Sequence, residues 1–139
     1  IFVSLKKFDC LSITFTIKLE EQIIGTTDFE FADIPMGVVY GKINFINIES
    51  PYLLFKNYCL ANNIQINYDS ETEKLIDTFI IPNLKVYYND FQDELKGWGS
   101  SISGLEISDD GIEFDITSYG LESETMSTLF EHHFNEYFK

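Results

Sequence analysis

The sequence predicts an α+β domain dominated by antiparallel β-structure. Several stretches alternate between apolar and polar residues, as half-buried strands do. An Asp-Gly turn lies between two of these stretches, and only two segments space their apolar residues as helices do. With 139 residues, 45% of them hydrophobic, the chain can form a core of its own without dividing. We therefore expect a single domain over residues 1–139, an antiparallel sheet or sandwich of about seven strands with two helices.

The first strands are predicted from strict alternation and from β-branched and aromatic residues. Residues 11–19 alternate throughout and predict a strand with one buried face, and a shorter strand is expected at 28–31. Residues 38–47 predict a long strand. Gly41 interrupts it, which indicates a bulge or the close approach of another backbone.

Two helices are predicted, over residues 51–62 and 124–138. Ser50 and Pro51 suit the N-cap and first helical position of the first, and Asn62-Asn63 suit its end. Ser123 or Thr125 could cap the second. Its predicted apolar stripe consists of Met126, Leu129, Phe130, His133, Phe134 and Tyr137.

The remaining strands are expected at 64–68, 75–81, 84–88, 101–108 and 112–117. Residues 89–93 between them read as an acidic loop. Residues 109–111, Asp-Asp-Gly, join the last two alternating stretches, and this pattern is typical of a β-hairpin.

The charge of the chain limits its partners. Nine lysines, no arginine and 23 acidic residues give a net charge of −14. Such a chain lacks the basic surface that nucleic acids and anionic membranes attract, so we expect it to bind neither directly. A basic protein is the natural complement, although solubility alone would also explain the charge. Mutual repulsion of like-charged copies favours a monomer.

Residues with catalytic or metal-binding patterns are few. The sequence contains no phosphate-binding glycine loop and no nucleophile elbow. The only histidines, His132 and His133, are adjacent, too few for a closed zinc site, and the C-terminal end of a helix would favour their charged form. We therefore expect no enzyme activity, no cofactor and no metal.

The cysteines and the apolar segments indicate in which cellular compartment the protein is expected. Cys10 lies at a predicted strand start and Cys59 in an apolar helix pattern, and both are expected to be buried free thiols, as in a reducing compartment, with a single disulfide between them as the alternative. No apolar run has the length of a membrane span, and Lys6-Lys7 follow the apolar opening residues where a signal peptide would have them precede. These observations predict a cytoplasmic protein.

Acidic residues fall into three groups on predicted loops and solvent-facing strand positions. The groups are Asp69, Glu71, Glu73 and Asp77; Asp90, Asp93 and Glu94; and Glu106, Asp109, Asp110, Glu113 and Asp115. Trp98, the only tryptophan, follows the second group and could be either an exposed anchor for a partner or a core residue. The predicted partner-binding residues are Asp90, Asp93, Glu94, Trp98, Asp109 and Asp110.

Two segments resemble a known family. They are residues 33–45, DIPMGVVYGKINF, and residues 94–105, ELKGWGSSISGL, the latter continuing through 111–113 to the aromatic C-terminal helix. Both resemble immunity proteins of bacterial contact-dependent growth inhibition, closest to the type that neutralises EndoU-like RNase toxins. The resemblance covers about half of the chain, in order. It implies a cytoplasmic antitoxin that binds the nuclease domain of a large effector and blocks its active site.

The sequence thus predicts an immunity protein that binds a basic toxin nuclease one-to-one and occludes its RNA site. Two alternatives stay open. One is an immunity or binding module for a partner that is not a nuclease. The other is a small carbohydrate-acting or carbohydrate-binding domain, since β-rich folds of this size serve many functions.

Overall fold

The computed structural model describes residues 13–107, 109 and 111–139. These residues form eleven strands in two antiparallel sheets, with three helices, and the α+β, β-dominated class predicted from the sequence is confirmed. The strands are more numerous than predicted because several have only two or three residues. Such short strands offer too few alternating positions to be recognised in a sequence.

One sheet has five strands. It contains β1 (Phe15–Leu19), β2 (Gln22–Thr27), β5 (Asn44–Phe45), β8 (Leu84–Tyr88) and β9 (Asp93–Glu94), in the order β5-β2-β1-β8-β9.

The other sheet has six strands. It contains β3 (Phe31–Asp33), β4 (Val38–Lys42), β6 (Ile66–Ser70), β7 (Leu75–Thr78), β10 (Gly99–Leu105) and β11 (Glu113–Tyr119), in the order β3-β4-β11-β10-β7-β6. The predicted hairpin is confirmed as β10 and β11, which pair from Gly99 with Tyr119 to Leu105 with Glu113.

The predicted long strand over 38–47 is divided between the two sheets. β4 pairs with β11 in one sheet and β5 pairs with β2 in the other, so the chain changes sheets at Ile43, whose backbone N–H donates to Phe114 O at 2.8 Å. The close approach predicted at Gly41 is confirmed, because a Cβ there would lie 2.7 Å from Phe29 Cα. The strand predicted at 28–31 is wrong in its position: Phe29, with φ 45°, interrupts the chain between β2 and β3.

The first helix, α1 (Pro51–Ala61), begins as predicted. Ser50 is its N-cap, and the Ser50 hydroxyl accepts a hydrogen bond from Leu53 N at 3.3 Å. Asn62 ends it, and Asn63 takes the left-handed conformation with φ 55°.

The second predicted helix is two helices, α2 (Ser123–Leu129) and α3 (Glu131–Tyr137). Phe130, with φ −122° and ψ 43°, separates them. Glu122 occupies the N-cap position of α2 without a capping side-chain hydrogen bond, so the caps predicted at Ser123 or Thr125 are wrong. The break follows from packing, since the buried Phe130 ring stacks on Phe15 at a centroid distance of 5.4 Å.

One apolar core holds the two sheets and the helices together. The alternation of β1 turns Phe15, Ile17 and Leu19 inward, as predicted. Around Phe15, the rings of Phe29 and Phe130 form one aromatic cluster, and Phe45, Phe55 and Phe114 form a second beside α1. The α2–α3 break is therefore fixed against the β1 end of the core.

Cys59 of α1 is buried in this core as a free thiol, as predicted, and Cys10 lies outside the described residues. Burial raises the pKa of the Cys59 thiol to about 11. Of the helices that the structure describes, none is long and apolar enough to cross a membrane.

Candidate partner-binding groove

Trp98 lies immediately before β10 at the open end of the β10–β11 hairpin. Its backbone N–H donates to Tyr119 O at 2.9 Å, and 78% of the residue is exposed. The alternative that Trp98 belongs to the core is therefore wrong. A large, rigid, amphipathic ring held at the surface is the kind of side chain that anchors protein interfaces.

A glycine holds the indole ring in place. Gly120 has φ 69°, a conformation that favours glycine, and a Cβ at this position would overlap the indole carbons of Trp98. The ring therefore lies directly against the backbone that leads from β11 to α2. Its position is set by packing against main chain and does not depend on a flexible neighbour.

Trp98 forms one wall of an apolar groove with a volume of about 590 Å³. The other walls are the turn at 34–37 and the helices α2 and α3. Its floor includes Leu121 and Met126, both buried. The large apolar side chains at its rim are unusually exposed: Met36 is 67%, Tyr137 55% and Phe138 64% exposed.

Main-chain hydrogen bonds fix the floor of this groove. Gly37 N donates to Ile34 O at 3.1 Å, which closes the turn, and Leu121 N donates to Gly37 O at 2.9 Å, which ties the turn to the start of the helical segment. Gly37 has φ 66°, and a Cβ there would lie 2.5 Å from Leu121 O. The Pro-Met-Gly turn thus presents Met36 at the rim on a fixed backbone.

One carboxylate lines the groove, and two more lie in the cleft beside it. Glu122 lines both the groove and an adjoining cleft of about 230 Å³, which also contains Glu94, Glu124 and a single lysine, Lys96. Glu94 has a partner already, because its carboxylate lies 3.5 Å from Lys85 Nζ. The apolar groove is therefore bordered by a negatively charged margin.

The predicted partner-binding residues do not all lie at this groove. Glu94 and Trp98 come together, since both line a smaller cleft of about 190 Å³. Asp90 and Asp93 are exposed at the turn and strand β9 on the edge of the five-stranded sheet, where Asn89 Nδ2 donates to the Asp93 carboxylate at 2.9 Å. Neither residue lines the groove.

The hairpin turn lies at the other end of β10 and β11. Asp109 is exposed there, separated from Trp98 by the whole length of β10, roughly 20 Å at the rise of an antiparallel strand. Asp110 lies outside the described residues. Asp109 and Trp98 are thus not parts of one local surface, because a hairpin brings its strands together but keeps its two ends apart.

The other two predicted acidic groups also contain residues with internal partners. The Glu106 carboxylate accepts hydrogen bonds from the Ser50 hydroxyl at 2.6 Å and from Tyr52 N at 2.7 Å. Lys56 Nζ lies 3.0 Å from Asp69 and 2.8 Å from Glu71. Glu106 and Asp69 thus connect α1 to the six-stranded sheet, whereas the Glu71 side chain stays 81% exposed.

The Tyr52–Lys56–Asp69 network also shifts the titration of its members. The hydrogen bond from the Tyr52 hydroxyl, together with Lys56, lowers the pKa of Asp69, although burial opposes this. Burial and the same hydrogen bond raise the pKa of Tyr52. The ammonium group's three partners raise the pKa of Lys56.

The histidines differ from expectation. Their ring centroids are 3.9 Å apart, and His133 Nε2 lies 3.0 Å from Phe29 O. Burial, and then the neighbouring His133, lower the pKa of His132, so the charged form expected there is disfavoured. Within the described ranges, no three His, Cys, Asp or Glu side chains are arranged to hold a metal ion.

Sequence reasoning missed Met36 and Phe138 and assigned Tyr137 to a buried stripe. The Pro35-Met36-Gly37 turn was a usable signal, because an apolar residue between Pro and Gly in a turn is poorly placed for burial. Nothing in the spacing of the last helix distinguishes the exposed Tyr137 from the buried Met126. That difference arises from the break at Phe130.

Comparison of the chain with protein-family models, with curated proteins and with solved structures finds no match.

Proposed function

We propose that this protein is a non-enzymatic immunity protein that binds a basic toxin nuclease one-to-one and covers its RNA site. The observation that carries the proposal is the acid-bordered groove around the exposed Trp98, on a chain of net charge −14. The resemblance to immunity proteins that neutralise EndoU-like RNases supports the same function.

The proposed mechanism is electrostatic and steric. An RNA-cutting site must attract phosphate and is therefore positively charged, and an acidic inhibitor competes with RNA for that surface. Carboxylates at the margin accelerate and orient the encounter, whereas a desolvated apolar centre supplies most of the affinity. Glu122 and Glu124 suit the first role and Trp98 the second, and Glu94, paired with Lys85, lies beside them.

Calorimetry tests this proposal with the protein encoded immediately upstream of this gene, after that protein has been assayed for RNA cleavage, and an upstream protein without such activity counts against the proposal. This chain is titrated into the upstream-encoded protein at two salt concentrations, with RNA cleavage measured in parallel. We expect one-to-one binding that weakens with salt and stops cleavage. Absence of binding, or binding that leaves cleavage unchanged, would refute the proposal. Binding that does not weaken with salt and leaves RNA cleavage unchanged would favour an immunity protein for a non-nuclease toxin.

A carbohydrate-binding function is the second candidate, and one observation favours it. Trp98 and the 57% exposed Phe79 flank a cleft of about 330 Å³ that also contains Asp77 and Asn67. Aromatic faces beside oxygen and amide groups suit a sugar ring. Binding to an array of glycans, abolished by Phe79→Ala but not by Met36→Lys, would favour this function over toxin inhibition.

A further inference from the structure

We propose that the groove between Trp98, the turn at 34–37 and the C-terminal helices receives a segment of the toxin that carries a large apolar side chain beside a Lys or Arg. The inference rests on the proposed function, and it names the surface and the chemistry by which the partner is recognised.

The groove has the size and composition of a binding site. Its volume of about 590 Å³ falls within the range of roughly 300–1,000 Å³ usual for ligand pockets. Four exposed large apolar residues meet at its rim, namely Met36, Trp98, Tyr137 and Phe138. Single exposed apolar side chains are ordinary, but a contiguous group of them marks an interaction surface.

The groove is also preformed. Main-chain hydrogen bonds at Gly37 and the contact of Gly120 with the indole fix two walls before any partner arrives. A site whose walls are already ordered loses less conformational entropy on binding. Met36 adds adaptability, because its flexible, polarisable side chain can adjust to the shape of an entering group.

The charge around the groove indicates which type of residue accompanies the apolar side chain of the partner. Among the described residues that line the groove there is no lysine, and Glu122 is at its margin. In the adjoining cleft Glu124 joins Glu122, Lys96 is the one lysine of its lining, and Glu94 is already paired with Lys85. A cation that enters beside the apolar group meets the carboxylates of Glu122 and Glu124. A protein segment with adjacent apolar and basic residues would fill the apolar groove and also place a positive charge beside these carboxylates.

The decisive comparison is Met36→Lys against Leu60→Lys, with the upstream-encoded protein that passes the RNA-cleavage assay as the probe. Both residues are exposed, by 67% and 62%, and both substitutions add the same charge, so folding and net charge are matched. Leu60 lies on α1 and does not line the groove. We expect Met36→Lys to weaken binding at least tenfold, mainly through faster dissociation. Leu60→Lys should change it less than twofold.

Hydrogen exchange of the wild-type complex gives a second readout that needs no substitution. We expect the amides of Ile34, Met36 and Gly37, and those of residues 120–123 and 134–138, to exchange more slowly in the complex. Equal affinities of the two variants, or protection confined to the hairpin turn or to β9, would overturn the groove assignment and leave the proposed function intact. If the wild-type protein does not bind the upstream-encoded nuclease, the proposed function fails first and the assignment fails with it.

Discussion

Glu106 is expected to act as a distant cap of α1, and its removal should destabilise the protein. The carboxylate comes from the residue after β10, yet one of its oxygens accepts hydrogen bonds from the Ser50 hydroxyl and from Tyr52 N, at 2.6 and 2.7 Å. Tyr52 is 2% exposed, so water cannot readily replace the lost acceptor. The N-terminal turn of α1 contains no acidic residue of its own.

The structure separates the two contributions of this carboxylate. In Glu106→Gln an amide oxygen can still accept both hydrogen bonds, and only the charge at the positive end of the helix is lost, which costs about 1 kcal/mol. In Glu106→Ala the acceptor itself is lost. A buried N–H left unsatisfied costs about 1–3 kcal/mol, so we expect a total of roughly 2–3 kcal/mol.

Urea denaturation, monitored by far-ultraviolet circular dichroism, measures the loss of unfolding free energy in each of the two variants. Glu21→Gln and Glu21→Ala, in the exposed turn between β1 and β2, serve as controls and should change the free energy of unfolding by less than about 0.5 kcal/mol. High salt should reduce the effect of Glu106→Gln and leave most of that of Glu106→Ala. If the two Glu106 variants match the controls, the carboxylate is not a cap and the reasoning is wrong.

Two further predictions concern the core. Phe130→Ala removes a ring that is 1% exposed and stacked on Phe15, and it should lower the free energy of unfolding by about 3–5 kcal/mol. A loss under about 1 kcal/mol in the same denaturation assay would mean that this ring does not contribute to the core as the structure indicates. The Cys59 thiol should resist thiol reagents at pH 8 until the protein unfolds, because burial raises its pKa to about 11. The thiol ionises at a lower pH in the unfolded state than in the folded state, so ionisation favours unfolding. As the pH rises from about 9 to about 11, wild type should therefore lose roughly 2–3 kcal/mol of stability relative to Cys59→Ala. Profiles of unfolding free energy against pH that run parallel for the two proteins would contradict this.

Local patterns predicted the elements whose determinants are local. The start of α1 follows from Ser50 and Pro51, and the β10–β11 hairpin from alternation around a glycine turn. β8 coincides with its predicted range of 84–88. In each case the residues that set the structure are neighbours in the sequence.

The features that depend on distant contacts could not be predicted. The strand predicted over 38–47 has strand-forming residues throughout, and its division at Ile43 depends on pairing with β11. The last helix has a continuous helical pattern, and its break depends on the fit of Phe130 between Phe15 and Phe29. Neither partner is near in sequence.

In the candidate groove, too, contacts between residues near in sequence could be predicted and contacts between distant residues could not. Trp98 and Glu94 are four residues apart, and the prediction that they share a surface agrees with the cleft that both line. The groove itself joins the turn at 34–37 to residues near the end of the chain, which no spacing rule connects. Glu106 looked like one of many surface acids because its hydrogen-bond partners precede it by more than fifty residues.

The exposed position of Trp98 gives the protein an intrinsic fluorescent probe of the groove. Because it is the only tryptophan and the core is built largely from phenylalanine, emission excited at the red edge of the absorption band originates at the wall of the groove. Unfolding moves this indole from one aqueous setting to another, and the emission should change little. A ligand that fills the groove removes the indole from water, so a shift to shorter wavelength reports occupancy and not folding.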